Sequence, residues 1–464
     1  MSQQDPMVTG TVVNSNIDNQ FSGKGEKQQP KCRDPFFAFL LYANVIAIVA
    51  VAGAYGTEAF EDATTDVNYT GYVNVALISG AFALVFSALG MLLLMKIPQI
   101  LIKTALIFTM VMAGVWAAIS FAAGNVFGGI VGVIIFLLTC CYAYSVWSRI
   151  PFATINLITA CKAVSSNCGV TIAAYFFVAL SFGWCLLWTV AFVAIHDRSA
   201  DCSGVDANGN EVCSPNWGYL FLLLLSFFFT QQVIQNTVHV TVAGTVGTWW
   251  FSPDQTGCCS SAVTGSMIRS LTSSFGSICF GSLIVAFIQA LRQLAASSRD
   301  SDNGILLCIA ECILACLESL VEYFNKWAFV YVGLYGYSYL EAGKNVITLF
   351  KDRGWEAIIA DDLVSRTLLL VSLAVAGIAG GLGAVAVKWT DWFGVDDTVI
   401  SGEAFFIGFI TGLVLASILM SVIGSGVNTV IVLFAEAPAE FQENYPELSQ
   451  RMRDTWIEAY PGCM

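Results

Sequence analysis

Nine stretches of this chain, each 17 to 31 residues long, contain no Asp, Glu, Lys or Arg: 36–55, 73–95, 104–123, 126–147, 170–195, 217–243, 275–291, 367–387 and 404–434. A bilayer's hydrocarbon core is about 30 Å thick and takes about 20 apolar residues in a helix. Helices this apolar on every side have nowhere to hide in a soluble domain. The chain is therefore expected to be an all-α polytopic membrane protein. Its charged fraction, 11%, sits far below the soluble norm of about 25%. The net charge of −13 argues against a nucleic-acid partner, which needs a basic face.

Lys and Arg in short loops set orientation. Lys24, Lys27, Lys31 and Arg33 make the N-terminal tail, residues 1–35, cytoplasmic. That tail lacks the apolar core of a signal peptide, so the first span is expected to act as an uncleaved anchor. Loop 56–72 holds only acids and reads as external. Lys96, Lys103, Arg149 and Lys162 mark internal loops, and 388–403 is acidic and external. Segment 252–274 reads as an internal loop with a surface helix. A tenth crossing must lie between 304 and 350. It is placed near 305–333, leaving 335–362 as an amphipathic surface helix; the alternative puts it at 327–349. About ten spans in 36–434 then leave both termini cytoplasmic, with 435–464 as a polar tail broken by Pro438, Pro446 and Pro461.

Cysteines sort by location. Cys140, Cys141, Cys161, Cys168, Cys185 and Cys279 lie in or beside spans and read as small buried hydrophobes. Cys202 and Cys213 bracket the loop DCSGVDANGNEVC, predicted external, where a disulfide is chemically allowed. Asn68-Tyr69-Thr70 is the chain's one N-glycosylation sequon and also falls outside.

The sixth span carries the most chemistry. In FFFTQQVIQNTVHVTVAGTVGTWWF, Gln232, Gln235, Asn236 and His239 recur at helical spacing and share one face. Polar groups in hydrocarbon face the bundle interior or a wet path, so these four are candidates for a solute pathway. Interhelical hydrogen bonding is the plainer reading. Gly244 and Gly247 permit close helix contact or local unwinding, and Trp249 and Trp250 read as headgroup anchors. Glu311, Glu318 and Glu322 form one helical stripe, beside a stripe of Cys308, Cys312 and Cys316. If that helix spans, its acids are expensive and imply use in cation attraction or proton coupling; if it lies flat, they face water and the cysteines face lipid. The cysteine spacing is not a zinc site, and no metal or cofactor is expected.

The run HVTVAGTVGTWWF, His239 to Phe251, resembles a signature of the choline transporter-like family. So do SFGSICFGSLIVAFIQALR from Ser274 to Arg292 and, more loosely, YVGLYGYSYLEAGKNVITLF from Tyr331 to Phe350. The tail FAEAPAEFQENYPELSQRMRDTW and the short first external loop look most like the fungal and protist branch. The resemblance implies ten spans, cytoplasmic termini and transport of choline or a related small cation, with the plasma membrane as the expected location. Choline's quaternary ammonium suits aromatic faces. Trp184 and Trp188, at i and i+4, are candidate walls of a cage; Trp116, Tyr142, Trp147, Tyr331 and Tyr335 are further aromatics in or near spans.

Enzyme signatures fail. His196 and Asp201 match a short acyltransferase spacing by chance composition, and Gly265-Ser266 lacks the later glycine of a nucleophile elbow. The chain is expected not to be an enzyme. The rival to a carrier is a non-transporting membrane scaffold or lipid-handling protein, or a transporter of another solute.

Overall fold

A computed structural model describes residues 25–61, 70–199, 201–205, 211–214, 216–297, 304–353, 357–387 and 401–460. In chain order the helices are α1 (Pro35–Glu61), α2 (Thr70–Lys96), α3 (Pro98–Ala122), α4 (Val126–Val146), α5 (Ile150–Ser166) and α6 (Gly169–Ser199). A small antiparallel pair follows, β1 (Asp201–Val205) and β2 (Glu211–Ser214). Then come α7 (Trp217–Phe251), α8 (Ser261–Leu271), α9 (Phe275–Ser297), α10 (Gly304–Tyr335), α11 (Tyr339–Arg353), α12 (Ala357–Ala386), α13 (Ser401–Glu436), α14 (Pro438–Asn444) and α15 (Pro446–Ala459). Prolines open α3, α5, α14 and α15 within the first turn, where their missing N–H costs nothing.

Nine helical stretches among the described residues are long and apolar enough to cross a membrane. Their outer faces confirm the solvent they need. Phe39, Phe127 and Tyr144 stand 67%, 79% and 89% exposed, and α1 to α4 present continuous apolar surface that a soluble monomer does not tolerate. The chain is a multi-pass membrane protein.

The tenth crossing expected near 305–333 corresponds to α10, which is not one of those nine stretches. At 32 residues it is about 48 Å long, at roughly 1.5 Å per residue. It runs antiparallel along α9: Asn325 Nδ2 donates to the Gly281 carbonyl at 2.9 Å, Gln289 Nε2 to Glu318 at 3.0 Å, and Arg292 to Glu318 at 2.7 Å. The glutamates point at α9, while Cys312 and Cys316 lie exposed on the other side. A flat surface helix does not fit this lengthwise packing on α9, itself a candidate span. Nor does a crossing at 327–349, because the chain breaks between Tyr335 and Tyr339, with Gly336 at φ +76°.

The amphipathic helix expected over 335–362 is shorter, Tyr339–Arg353, and α12 begins at Ala357. The Ser338 hydroxyl donates to Glu341 at 2.7 Å and holds that carboxyl below its usual range. Asp361 and Asp362, at the end of that expected surface helix, and Arg366 just past it lie inside α12. Each is paired there: Asp361 with Lys326, Asp362 with Arg366 and with the Tyr142 hydroxyl. A paired charge can enter a helix bundle that an unpaired one cannot.

Trp249 and Trp250 are not headgroup anchors. They are 1% and 0% exposed and hold the C-terminal helices against α7. Trp250 stacks on Phe441, centroids 3.9 Å apart, and Trp249 on Tyr445 at 4.2 Å. The Trp250 indole N–H donates to the Ala437 carbonyl at 3.0 Å. Asn444 Nδ2 donates to the Trp250 carbonyl at 2.9 Å, and the Tyr445 hydroxyl to that of Trp249 at 3.2 Å. Beside this seam, the Tyr331 and Tyr335 hydroxyls both donate to the buried Glu436. The N-terminal segment reaches the same place: Gly25 N–H donates to Glu436 at 3.2 Å, and Gln28 N–H to the Tyr335 carbonyl at 2.8 Å. Both ends of the described chain thus meet at one end of the bundle and close it.

From within the span of the polar stripe toward its C-terminal end, α7 carries Thr237, Thr241, Thr245 and Thr248. Each hydroxyl donates to the carbonyl four residues earlier, at 2.7 to 2.9 Å. At Gly244 the helix meets Gly333 of α10 so closely that an added Cβ would lie 3.1 Å from the Gly333 carbonyl oxygen. The glycine serves close contact here, with no unwinding of the helix.

Cys168, read from the sequence as a buried hydrophobe, is disulfide-bonded to Cys258. The bond ties the start of α6 to the segment between α7 and α8. The strands bearing Cys202 and Cys213 pair antiparallel, but those side chains, like Asn68, lie outside the described residues.

Candidate functional site

The polar stripe of α7 lines a cavity of about 440 Å³, within the range of roughly 300–1,000 Å³ usual for small-molecule sites. Gln232, Gln235, Asn236 and His239 form one wall. Glu322, Asn325 and Lys326 of α10, Ser365 and Ser372 of α12, and Ser417, Ser421, Ser425 and Asn428 of α13 form the others. Helical periodicity explains this convergence: each helix turns one short polar row inward and gives its apolar residues to lipid or to its neighbours.

Hydrogen bonds fix the lining. Asn236 Nδ2 donates to Ser282 Oγ at 3.0 Å, and Gln232 Nε2 to Gln289 Oε1 at 3.3 Å. His239 joins three helices. Its Nε2 lies 2.8 Å from the Lys326 carbonyl and its Nδ1 2.7 Å from Ser425 Oγ. A carbonyl only accepts, so Nε2 carries the proton and Nδ1 is free to accept from the serine: a neutral imidazole serves both contacts. His239 therefore acts as a cross-brace as well as a wall. His239→Ala is expected to lower stability by about 1–3 kcal/mol, the cost of orphaned buried partners, read as an earlier thermal midpoint of the detergent-solubilised protein.

The glutamate stripe of α10 extends the cavity away from the chain ends. Glu311 and Glu318 line a smaller space of about 250 Å³ with Gln289, Arg292 and Gln293. Gln289 bridges the two spaces, since its Nε2 donates to Glu318 at 3.0 Å and to Glu322 at 3.2 Å. A side branch of about 300 Å³ between α6, α7 and α13 shares Gln235, Ser417 and Ser421.

Lys326 is the cavity's cation. Its ammonium pairs with Asp361, which is 4% exposed, and lies 4.4 Å from the Tyr323 ring centroid and 5.2 Å from that of Trp327. Arg292 is matched by Glu318. Glu322 is thus the cavity acid without a basic partner at ion-pair distance among the described residues.

Trp184 and Trp188 are elsewhere. Trp184 lines a separate apolar pocket of about 530 Å³ with Tyr42, Phe177 and Phe275. The Trp188 indole N–H donates to the Leu223 carbonyl at 2.9 Å, and its ring stacks on Phe192. Trp116 and Trp147 face outward, and Tyr331 and Tyr335 belong to the closed end. No Phe, Tyr or Trp lines the polar cavity among the described residues. Sequence reasoning missed Lys326, Asp361 and Asn428. A signal was present for Lys326, four residues after Glu322 on the same helix face.

Residues 130–439, which include every helix lining the cavity, match the family described as plasma-membrane choline transporter. Protein PNS1 of Mycosarcoma maydis is 29% identical over 471 residues, covering 95% of this chain and 86% of that protein. Protein PNS1 of Kluyveromyces lactis is 29% identical, with 97% and 85% covered. A CTL-like protein of Dictyostelium discoideum is 28% identical, with 94% and 77% covered.

Proposed function

The chain belongs to the plasma-membrane choline transporter family, and from that premise we propose that it carries choline or a closely related small organic cation across a bilayer. The observation that supports this reading is the polar cavity with Glu322 as its unmatched acid. A monocation entering there meets one net negative charge, because Lys326 is cancelled by Asp361 and Arg292 by Glu318. Choline's hydroxyl suits the serine and asparagine side chains of α13, and its methyl groups suit Leu368 and Met420. Glu311 of the outer space draws the cation inward, and the Trp249–Trp250 seam blocks the far end. One closed end fits a carrier that opens its two sides in turn better than an open pore. Loop charge assigns the closed end to the cytoplasm, and the family name makes the plasma membrane the first place to look.

Purified protein in liposomes is expected to take up labelled choline saturably, with tetramethylammonium competing. No flux above that of protein-free vesicles, for choline or for other small cations, would overturn the assignment and favour the membrane-scaffold reading.

A further inference from the structure

Lys326 occupies surroundings suited to a different molecule. Its ammonium rests against a buried carboxylate, Asp361, and two ring faces. The Tyr323 and Trp327 centroids lie 6.2 Å apart with their planes at 72°, and Phe350 packs edge-on against Trp327 at 5.0 Å. A carboxylate and two crossed aromatic faces are what a quaternary ammonium needs, since it offers no N–H to donate. Yet the occupant is a residue of the chain itself, on a flexible four-carbon stem that is one-quarter exposed toward the cavity.

We propose that Asp361, Tyr323 and Trp327 form a second ammonium subsite, held by Lys326 until a substrate's onium group displaces it. This rests on the cation-carrier reading given above. Lys326 has a second carboxylate in reach, because Glu322 precedes it by four residues, the favoured order for an acid and a base on one helix. Two arrangements then satisfy every charge. In the first, which keeps the Lys326–Asp361 pair of this structure, Glu322 holds the entered cation. In the second, Lys326 swings to Glu322 and the substrate passes to Asp361. No carboxylate is left bare at either stage, so the cation advances without the cost of an uncompensated buried charge. Lys326 is a positioning residue here; the onium group touches Asp361 and the rings.

The double variant Lys326→Gln/Asp361→Asn separates this from a purely structural ion pair. A structural pair replaced by a neutral pair of similar shape leaves transport within about twofold. The subsite predicts that choline still stabilises the double variant through Glu322, while uptake falls by about tenfold or more. Uptake near that of the unaltered protein overturns the proposal. Should the variant fail to fold, the unaltered protein supplies the test: saturating choline is expected to change amine-reagent labelling of Lys326, resolved by peptide mass, relative to sodium. Thermal stabilisation by choline with unchanged Lys326 labelling overturns this proposal alone. If neither choline nor tetramethylammonium stabilises the unaltered protein, the carrier reading fails and takes the subsite with it.

Discussion

Glu322→Gln is expected to lower choline kcat/KM by about tenfold to a hundredfold, equivalent to roughly 1.4–2.8 kcal/mol. Two unit charges about 4 Å apart attract by roughly 4 kcal/mol at the effective dielectric of a partly wet protein site, and the cation's lost hydration offsets part of that. Glutamine keeps the shape of the side chain, so the fold should hold. The loss is expected mostly in KM, because the charge acts on the bound cation. Glu311→Gln, in the outer space, should cost less, and its effect should shrink in high salt, where exposed charges are screened. Initial uptake rates across a choline series, beside thermal midpoints, check both. An unchanged KM in Glu322→Gln would remove the carboxylate from recognition.

Trp250→Ala should do the greatest damage to the closed end. Truncating a fully buried tryptophan costs about 3–5 kcal/mol. Here it also strips the Phe441 ring of its stacking partner and leaves the Ala437 carbonyl without its donor. The expected result is release of α14 and α15, read as new protease cuts between Pro438 and Ala459, with a lower thermal midpoint. Trp250→Phe keeps a stacked ring and loses the hydrogen bond, at about 1 kcal/mol, so it should cut far less. A proteolysis pattern unchanged in Trp250→Ala would mean that α14 and α15 are held from elsewhere.

Runs without charge located nine crossings because lipid punishes charge more strictly than any other environment does. The same rule hid the start of α12. Asp361 read as the end of a surface helix, since its pairing partner thirty-five residues away, Lys326, cannot be read from spacing. The polar face of α7 was legible at i, i+3, i+4 and i+7, and all four residues line one cavity. Glu322 joined them there because α10 stands upright against α9, a fact that depends on packing and not on its own composition. The aromatic expectation fared differently. In a chain with 13% aromatic residues, most rings face lipid or one another, and nothing local distinguishes those that meet a cation. Trp249 and Trp250 were misread for a related reason: at the end of a span, a tryptophan facing headgroups and one facing a C-terminal helix have the same sequence neighbours.

The threonine row on α7 has a mechanical meaning. Every hydroxyl that borrows a carbonyl from its own helix weakens the amide bond already using that oxygen, and rows of this kind bend helices readily. The compliant stretch lies between His239, which braces the cavity, and Trp250, which locks the bundle's end. A rod with a soft waist yields there first when both of its ends are clamped. Any bend of this helix is therefore expected at that waist, between the cavity and the seam.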